Sequence, residues 1–256
     1  MKILVCIKQV PDMESRFAVD AKGVWYDEAD LAFRINEYDE YAVEQAVQLK
    51  EQLGEADLTV LSIGPDRVKE ALKKSLAMGC DRAVHVECHD AHKLDPFAIA
   101  SIISEFAKPK QFDVIFTGMQ SQDRGSAQVG VLVAEILGLP SATTIIDFSF
   151  TDSTITVRRE LEGGLKAVVK LKTPAVVTCQ LGLNTPRYPT LPNIMKAKKK
   201  ELLSIPSGDL FHGENLATTQ KMALPEKKSG GQFLEGDPAE LADKLIEILK
   251  EKTTVL

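Results

Sequence analysis

A glycine-containing segment in the middle of the chain carries residue types that can hold a phosphate. Residues 117–130 leave a predicted strand and open a predicted helix, the position at which open α/β sheets bind ligands. Glycine lets backbone N–H groups approach a phosphate, Ser126 offers a hydroxyl donor, and the helix N-terminus adds positive potential. The alternative is an ordinary turn capped by Asp123 or Ser126, with Gly125 in an unusual backbone conformation. The segment matches neither the dinucleotide fingerprint nor the P-loop pattern, so both interpretations stay open.

A second polar turn, residues 35–40, precedes the first predicted helix and is expected at the same edge of the sheet. Asn36 could read an adenine or a ribose there. The alternative, which the residue types favour, is that Asn36 caps the helix while Glu37, Asp39 and Glu40 complement the helix dipole.

Metal-ligand chemistry is clustered in one place only, at His85, Cys88, His89 and His92. The spacing matches no usual zinc ribbon or finger, and the intervening charges are typical of a solvated loop. We therefore expect surface histidines and no metal. The sequence also shows no Ser-His-Asp order, acid pair or nucleophile elbow, so no catalytic residues are predicted and an enzyme is not expected.

Residues 184–200 combine three prolines, large apolar residues and a basic end. Prolines stiffen an extended segment, so little entropy is lost when it docks. Tyr188, Leu191, Ile194 and Met195 are the side-chain types that anchor interfaces. Two alternatives are a packed irregular connection with a solvated lysine run, and a polybasic patch for RNA or membrane. The net charge of −6 disfavours the latter.

The composition is that of a globular protein, with 44% hydrophobic and 27% charged residues. A pI near 5.4 argues against a general nucleic-acid binder, which needs a basic footprint. The four cysteines have no paired spacing, and the N-terminal apolar run is too short for a signal peptide. We therefore expect a cytoplasmic protein of bacterial type without membrane insertion.

Strands and helices alternate through residues 1–140, which predicts a mostly parallel sheet with helices on both faces. The predicted strands are residues 3–7, 58–63, 82–86 and 114–117, and the predicted helices are residues 41–53, 68–78, 96–106 and 126–137.

The pattern changes after Pro140. Four β-rich runs within residues 143–180 predict antiparallel hairpins that extend the sheet. Regular periodicity is lost over residues 184–236, and residues 238–250 form one amphipathic helix. The fold class is therefore α/β and Rossmann-like, with an antiparallel β-hairpin extension and a C-terminal arm that ends in a helix.

Several blocks of the chain together resemble the β subunit of electron-transfer flavoproteins. The most specific block is residues 180–200, preceded by residues 157–164 and 174–178. Further blocks extend the resemblance over essentially the whole chain: residues 7–11, 36–46, 62–65 and 77–82.

The resemblance implies a heterodimer whose α subunit holds most of a redox FAD, while this subunit contributes a Rossmann-like domain and a structural AMP. It further implies roles for individual residues. Tyr38 and Met13 would lie nearest the flavin, Leu191 would insert into a dehydrogenase, and Glu160 would belong to the electron-transfer interface. The implied cofactor-binding set is Cys6, Met13, Asn36, Glu37, Tyr38, Asp39, Ile63, Gly118, Gln120, Ser121, Asp123, Arg124, Gly125, Ser126, Ala127, Gln128 and Val129.

The implied function is to carry electrons from acyl-CoA or related dehydrogenases to a membrane quinone oxidoreductase. The implied organisation is a nucleotide-binding domain with its hairpin extension at 1–183, a partner-recognition loop at 184–200, and an arm at 201–256 that packs on the α subunit.

Three alternatives to this function remain. Some members of the family bind a second FAD in place of AMP and bifurcate electrons, and the loop around Arg124 is identical to neither type. A free-standing adenine-nucleotide-binding enzyme should show a glycine-serine phosphate loop after the first strand, where Lys8 and Gln9 stand instead. A regulatory nucleotide sensor would fold without a flavin-bearing partner.

Overall fold

A nine-stranded, mostly parallel sheet forms the centre of the protein, in a computed structural model that describes residues 1–225 and 230–253. Its strands are β1 Lys2–Ile7, β4 Asp57–Gly64, β5 Arg82–Glu87, β6 Val114–Gly118, β7 Ser141–Thr151, β8 Thr154–Glu160, β9 Lys166–Lys172, β10 Ala175–Cys179 and β11 Leu202–Pro206. A separate antiparallel pair joins β2 Gln9–Pro11 to β3 Phe33–Ile35. The strand order in the large sheet is β11-β5-β4-β1-β6-β10-β7-β8-β9.

Helices cover both faces of this sheet, as the alternation predicts. They are α1 Glu37–Leu53, α2 Val68–Met78, α3 Pro96–Ala107, α4 Val129–Leu137 and α5 Leu191–Ala197. Alternate residues of β1 divide the core: Ile3 and Val5 pack with α1 and α2, whereas Leu4 and Cys6 pack with α3 and α4. A strand buried on both faces reads as a continuous apolar run, which is why residues 3–7 predicted β1 correctly.

One prediction about the second half of the sheet needs correction. Of the four runs predicted to form antiparallel hairpins, β7, β8 and β9 are antiparallel neighbours. β10 returns to the middle of the sheet and pairs in parallel with both β6 and β7. Every residue of β10 is buried, which is typical of a central parallel strand and not of a hairpin.

The stretch predicted to be irregular contains regular structure. Residues 191–197 form α5, whose Thr190 side chain accepts a hydrogen bond from the Asn193 N–H. β11 pairs in parallel with β5 and closes one edge of the sheet. Neither element is long enough to generate a clear periodicity, since one has seven residues and the other five.

α4 begins at Val129, three residues later than predicted. Gly125 and Ala127 have positive φ values of 60° and 52°, which a right-handed helix cannot include. Neither Asp123 nor Ser126 caps this helix, because the N-cap residue is Gln128 and no side chain accepts a hydrogen bond there. The predicted side-chain cap is therefore wrong, whereas the unusual backbone conformation predicted for Gly125 is confirmed.

Residues 1–222 form one compact unit and residues 223–256 a second. The second contains the predicted C-terminal helix, α6 Pro238–Lys252, whose N-cap Asp237 accepts hydrogen bonds from the Ala239 and Glu240 N–H groups. Residues 226–229 and 254–256 of the predicted arm lie outside the described residues. Over the two described ranges, no helix combines the length and apolar composition that a membrane crossing requires.

Candidate functional site

A cleft lies at the carboxyl ends of β1, β4, β5 and β6, where the chain order across the sheet reverses. β1 pairs with β4 on one side and with β6 on the other, so the loops that follow these strands diverge around the cleft. Ligands of open α/β sheets bind at such a switch point. The cleft holds about 1190 Å³ of empty space, its open mouth included, which is enough for a nucleotide-sized ligand.

Asp39 joins the two central strands at this cleft. Its carboxylate accepts hydrogen bonds from the Lys8 N–H at 2.7 Å and from the Gly118 N–H at 3.0 Å. Burial raises the pKa of Asp39 from 3.8 to about 7, against the opposing effect of these hydrogen bonds. The first residue after β1, the last residue of β6 and the start of α1 are therefore fixed to one buried carboxyl group.

Asn36 holds the loop that follows β6. Its amide nitrogen donates to the Gln120 carbonyl at 2.8 Å, and its amide oxygen accepts from the Gln122 N–H at 3.0 Å. Asn36 occupies the N-cap position of α1, with Glu37, Asp39 and Glu40 in the first turn, as the capping interpretation predicts, but its side chain makes no capping hydrogen bond to the helix. The neighbouring Glu37 and Tyr38 add hydrogen bonds to the Gln122 and Gln120 side chains. Two polar turns more than 80 residues apart in sequence thus form one hydrogen-bonded wall.

Lys8 brings a cation into the cleft. Its ammonium group lies 2.6 Å from the Asp123 carboxylate, which is almost fully buried. Burial lowers the pKa of Lys8, and the Asp123 carboxylate counteracts part of that effect. The pair itself carries no net charge, because one cation offsets one anion.

Arg124 closes one side of the cleft. Its guanidinium donates to the Leu94 carbonyl at 3.1 Å and to the His92 carbonyl, and it lies 5.0 Å from the centre of the Trp25 ring. Trp25 in turn stacks on the His92 imidazole with ring centroids 5.4 Å apart. The loop after β6, the loop after β5 and the excursion between β2 and β3 meet at this arginine.

The structure brings most of the predicted cofactor-binding residues together. Thirteen of them line the cleft: Cys6, Asn36, Asp39, Ile63, Gly118, Gln120, Ser121, Asp123, Arg124, Ser126, Ala127, Gln128 and Val129. Glu37, Tyr38, Gly125 and Met13 lie outside its lining. Glu37 and Tyr38 support the wall from behind through their bonds to Gln122 and Gln120.

Several residues that line the cleft were not predicted as cofactor-binding from the sequence, chiefly Lys8, Trp25, Arg67 and His92. The position of Lys8 could have been predicted, because it directly follows the apolar run of β1, and such a run is typical of a strand in the centre of the sheet. No pattern in the sequence indicated Trp25. It reaches the cleft from the segment between β2 and β3, where Val19 and Tyr26 form an antiparallel bridge.

Gly118 has no room for a side chain. A Cβ atom there would lie 2.3 Å from the Asp39 carboxylate and 2.7 Å from the Tyr38 Cβ. We expect Gly118→Ala to push α1 away from β6 and to lower the free energy of unfolding by about 2 kcal/mol. Thermal unfolding of the two proteins measures this loss. Gly208→Ala is the matched control, because that position has open space and ordinary φ. Equal unfolding temperatures for the two variants would contradict the close packing.

The predicted histidine and cysteine cluster is not assembled into one site. His85 is buried and its Nε2 lies 2.8 Å from the Gly64 carbonyl, whereas His92 stacks on Trp25. A different trio, Asp66, His85 and Glu87, places ligand-type atoms within 4.8 Å of one another. Asp66 is already paired with Lys69 at 2.9 Å.

Residues 184–200 present apolar side chains at the surface. Leu191 is 79% exposed and Tyr188 is 90% exposed, and Ile194 and Met195 are exposed beside them on α5. Glu160, at the end of β8, is exposed as well. The basic end of this segment is not uniformly solvated, since Lys200 donates to the Leu76 and Cys80 carbonyls at the end of α2.

The parallel sheet, its reversal at β1 and the loop wall around the cleft define a Rossmann-like α/β protein. A family model described as the electron transfer flavoprotein domain matches residues 23–210. The chain belongs to the electron transfer flavoprotein family.

Curated relatives align over nearly the full length of the chain. The electron transfer flavoprotein subunit beta of Bacillus subtilis is 37% identical over 261 residues, covering 100% of both chains. That of Methylophilus methylotrophus is 36% identical over 261 residues, covering 98% of each chain. That of Sus scrofa is 36% identical over 255 residues, covering 98% of this chain and 97% of the relative. The match is therefore to β subunits in particular.

Proposed function

We propose that this chain is the β subunit of a heterodimer that carries electrons from acyl-CoA or related dehydrogenases to a membrane quinone oxidoreductase. The observation that carries the proposal is the whole-length similarity to β subunits together with an exposed apolar segment at residues 188–195. The α subunit would hold most of the FAD, which would supply the electron-transfer chemistry. This subunit would position the flavin and recognise the dehydrogenase.

The cleft fits an AMP as the structural nucleotide of this subunit. α4 points its uncapped N-terminus at the cleft, so its first N–H groups and its dipole favour a phosphate. The Ser126 hydroxyl lies in the same lining and can add a donor. Ile63, Leu94 and Ile99 supply an apolar wall suited to an adenine ring.

Arg124 supports AMP over a second FAD. Its bonds to the His92 and Leu94 carbonyls tie two loops together across the side of the cleft. A diphosphate-bearing FAD would favour a more open loop than this arrangement gives. Binding of a mononucleotide leaves these bonds intact.

The exposed segment would be the dehydrogenase contact, with Leu191 as its central anchor and Tyr188, Ile194 and Met195 around it. Exposed apolar clusters of this kind mark interaction sites on proteins. Glu160 would belong to the same functional surface, and Met13 and Tyr38 would lie nearest the flavin. Of the predicted arm at 201–256, β11 belongs to the sheet, so the part that would pack on the α subunit is the second unit, through α6, whose Leu245 and Ile246 are exposed in this chain.

The test is a measurement of the nucleotides released from the purified heterodimer. We expect one FAD and one AMP per heterodimer. Two FAD and no AMP would instead show the bifurcating type. A chain that purifies alone, without flavin or a second subunit, would contradict the proposed function and favour a free-standing nucleotide-binding protein.

Arg124→Ala tests the contribution of this residue to the nucleotide site. The variant loses a cation and two loop-closing hydrogen bonds, so we expect AMP to be retained about tenfold more weakly. Released AMP after dialysis is the measurement. The control is Arg158→Ala, which removes an arginine paired with Asp147 on the β-hairpin extension. If the two variants keep the same AMP content, Arg124 has no part in the site.

A further inference from the structure

Arg187 attaches the beginning of the exposed segment, just before Tyr188, to helix α1. The Arg187 guanidinium donates to Glu44 at 2.9 and 3.0 Å, and to Glu51 at 2.6 and 2.9 Å. The Arg187 backbone N–H also donates to Glu44 at 3.1 Å. Two carboxylates thus bind one guanidinium, each with two hydrogen bonds, which is the strongest and most directional arrangement for an ion pair of this type.

Of the two ion pairs, the one with Glu44 is the more important for stability, because the Glu44 carboxylate is buried. The Glu44 side chain is only 4% exposed, whereas Glu51 is 57% exposed. Burial alone would raise the pKa of Glu44, but the hydrogen bonds from Arg187 and Gln48 lower it below its ordinary value. Arg187 therefore allows a buried carboxylate to stay ionised, and Glu44 in return fixes the position of the arginine.

A second residue continues the same contact. The Asn184 side chain donates to the Tyr41 carbonyl at 3.1 Å and to the Gln45 side chain at 3.4 Å. Residues 41, 44, 45 and 51 lie along one stripe of α1, because helical neighbours are three or four residues apart. Residues 184–187 are therefore bound along this stripe of α1. The next residue, Tyr188, has a side chain that projects into solvent.

The far end of the segment is attached independently. Ala197 is 5% exposed and packs into the core beside α2. The Lys200 ammonium reaches the Leu76 carbonyl at 2.9 Å. Tyr188, Leu191 and Met195 thus lie on a short span with both ends held, which limits the conformational entropy that docking would cost.

We infer that Arg187 is a positioning residue for partner docking, acting through Glu44 and Glu51. Arg187 is not among the residues that line the cleft, and its ion pairs with α1 hold the neighbouring anchors in the geometry that a dehydrogenase engages. The inference rests on the proposed function, because it assigns the exposed segment to a dehydrogenase.

The test uses the FAD-loaded heterodimer with Arg187→Ala, assayed with an acyl-CoA dehydrogenase as the electron donor. We expect the KM for the heterodimer to rise about tenfold while kcat stays within about twofold, since the anchors are intact but no longer preorganised. Amide hydrogen exchange without the dehydrogenase should accelerate over residues 184–195. Lys74→Ala is the matched control, because it removes the 2.5 Å ion pair between Lys74 of α2 and Glu40 of α1 and leaves the Arg187 ion pairs in place.

Two further variants keep the result decisive if Arg187→Ala unfolds. Glu51→Gln removes only the more exposed of the two ion pairs that Arg187 makes, and it should raise KM by a smaller factor. Arg187→Lys should fall between the alanine variant and the original protein, because an ammonium group cannot bind both carboxylates in the forked geometry.

The outcomes separate this inference from the proposed function. If Leu191→Ala raises KM while Arg187→Ala and Glu51→Gln leave KM unchanged, Arg187 does not position the segment and the inference is overturned. If Leu191→Ala leaves KM unchanged, the proposal that the exposed segment binds the dehydrogenase is contradicted, whatever Arg187→Ala does. Accelerated exchange with unchanged KM would also count against the inference, because the freed segment would dock equally well.

Discussion

Leu191→Ala should slow electron transfer from the dehydrogenase by a factor of roughly 30 or more at subsaturating concentrations. The side chain is 79% exposed in this subunit and stands at the start of α5, between the exposed Tyr188 and Ile194. Removing a large apolar anchor from the centre of an interface costs about 2 kcal/mol or more, and about 1.4 kcal/mol corresponds to tenfold in an equilibrium constant. The slower rate should result from a higher KM, because the substitution weakens binding of the dehydrogenase.

Flavin reduction by substrate-reduced dehydrogenase, followed by absorbance, measures this rate. Flavin content and heterodimer formation should be unchanged, since Leu191 supports neither the cleft nor the core. Leu216→Ala is the matched control: this leucine is 75% exposed but is attached beside Asp95, at the start of α3 on the other face of the sheet. Equal electron-transfer rates for the two leucine variants would contradict the proposal that residues 188–195 are the docking surface.

Asp39 should make the protein less stable as the pH rises toward neutrality. The folded-state pKa of this carboxyl group is about 7, above its ordinary value of 3.8. Between these values the folded state binds a proton that the unfolded state lacks, so the stabilisation is fully present below the lower pKa and is lost as the pH passes through the higher one. The contribution amounts to about 4 kcal/mol.

The groups around Asp39 leave this sign unchanged. The Lys8 ammonium favours the carboxylate but is itself bound to Asp123, and burial raises the pKa of the Cys6 and Cys179 thiols, which keeps both neutral. Hydrogen bonds from the Lys8 and Gly118 N–H groups also favour the carboxylate, and burial outweighs them.

Asp39→Asn should abolish this part of the pH dependence. The variant cannot ionise, and it should be less stable than the original protein in acid by about 1–3 kcal/mol, because one backbone donor loses its acceptor. The difference should shrink as the pH rises. Thermal unfolding of the heterodimer from about pH 5 to about pH 8 tests both statements. Asp147→Asn, at a half-exposed position on the hairpin extension, is the control. Parallel curves for all three proteins would show that Asp39 is ionised throughout the range.

Both effects begin from features that the sequence makes visible. The prolines and large apolar residues of 184–200 predict a docking segment, and the structure shows those side chains at the surface. The alternation of strands and helices predicts the parallel sheet. It also predicts that residues 36–39 and 118–129 share one edge, which their mutual hydrogen bonds confirm.

Partners that are distant in the chain could be decided only by the tertiary structure. Asp123 is a plausible helix cap in the sequence, but it pairs with Lys8, which lies 115 residues away. Arg187 looks like one cation in a basic segment, yet it binds Glu44 across 143 residues. β10 follows three hairpin strands and still inserts beside β6.

The physical reason is the range over which each signal acts. Helical and strand periodicity, glycine positions and apolar runs express local backbone preferences and the burial of one face, so they can be read within a window of residues. Ion pairs, strand insertion and the closure of the cleft by Arg124 depend on how whole elements pack. The sequence therefore determined most of the elements, the edge of the sheet where the cleft lies and the apolar side chains that residues 184–200 expose, and the packing decided which charges meet one another.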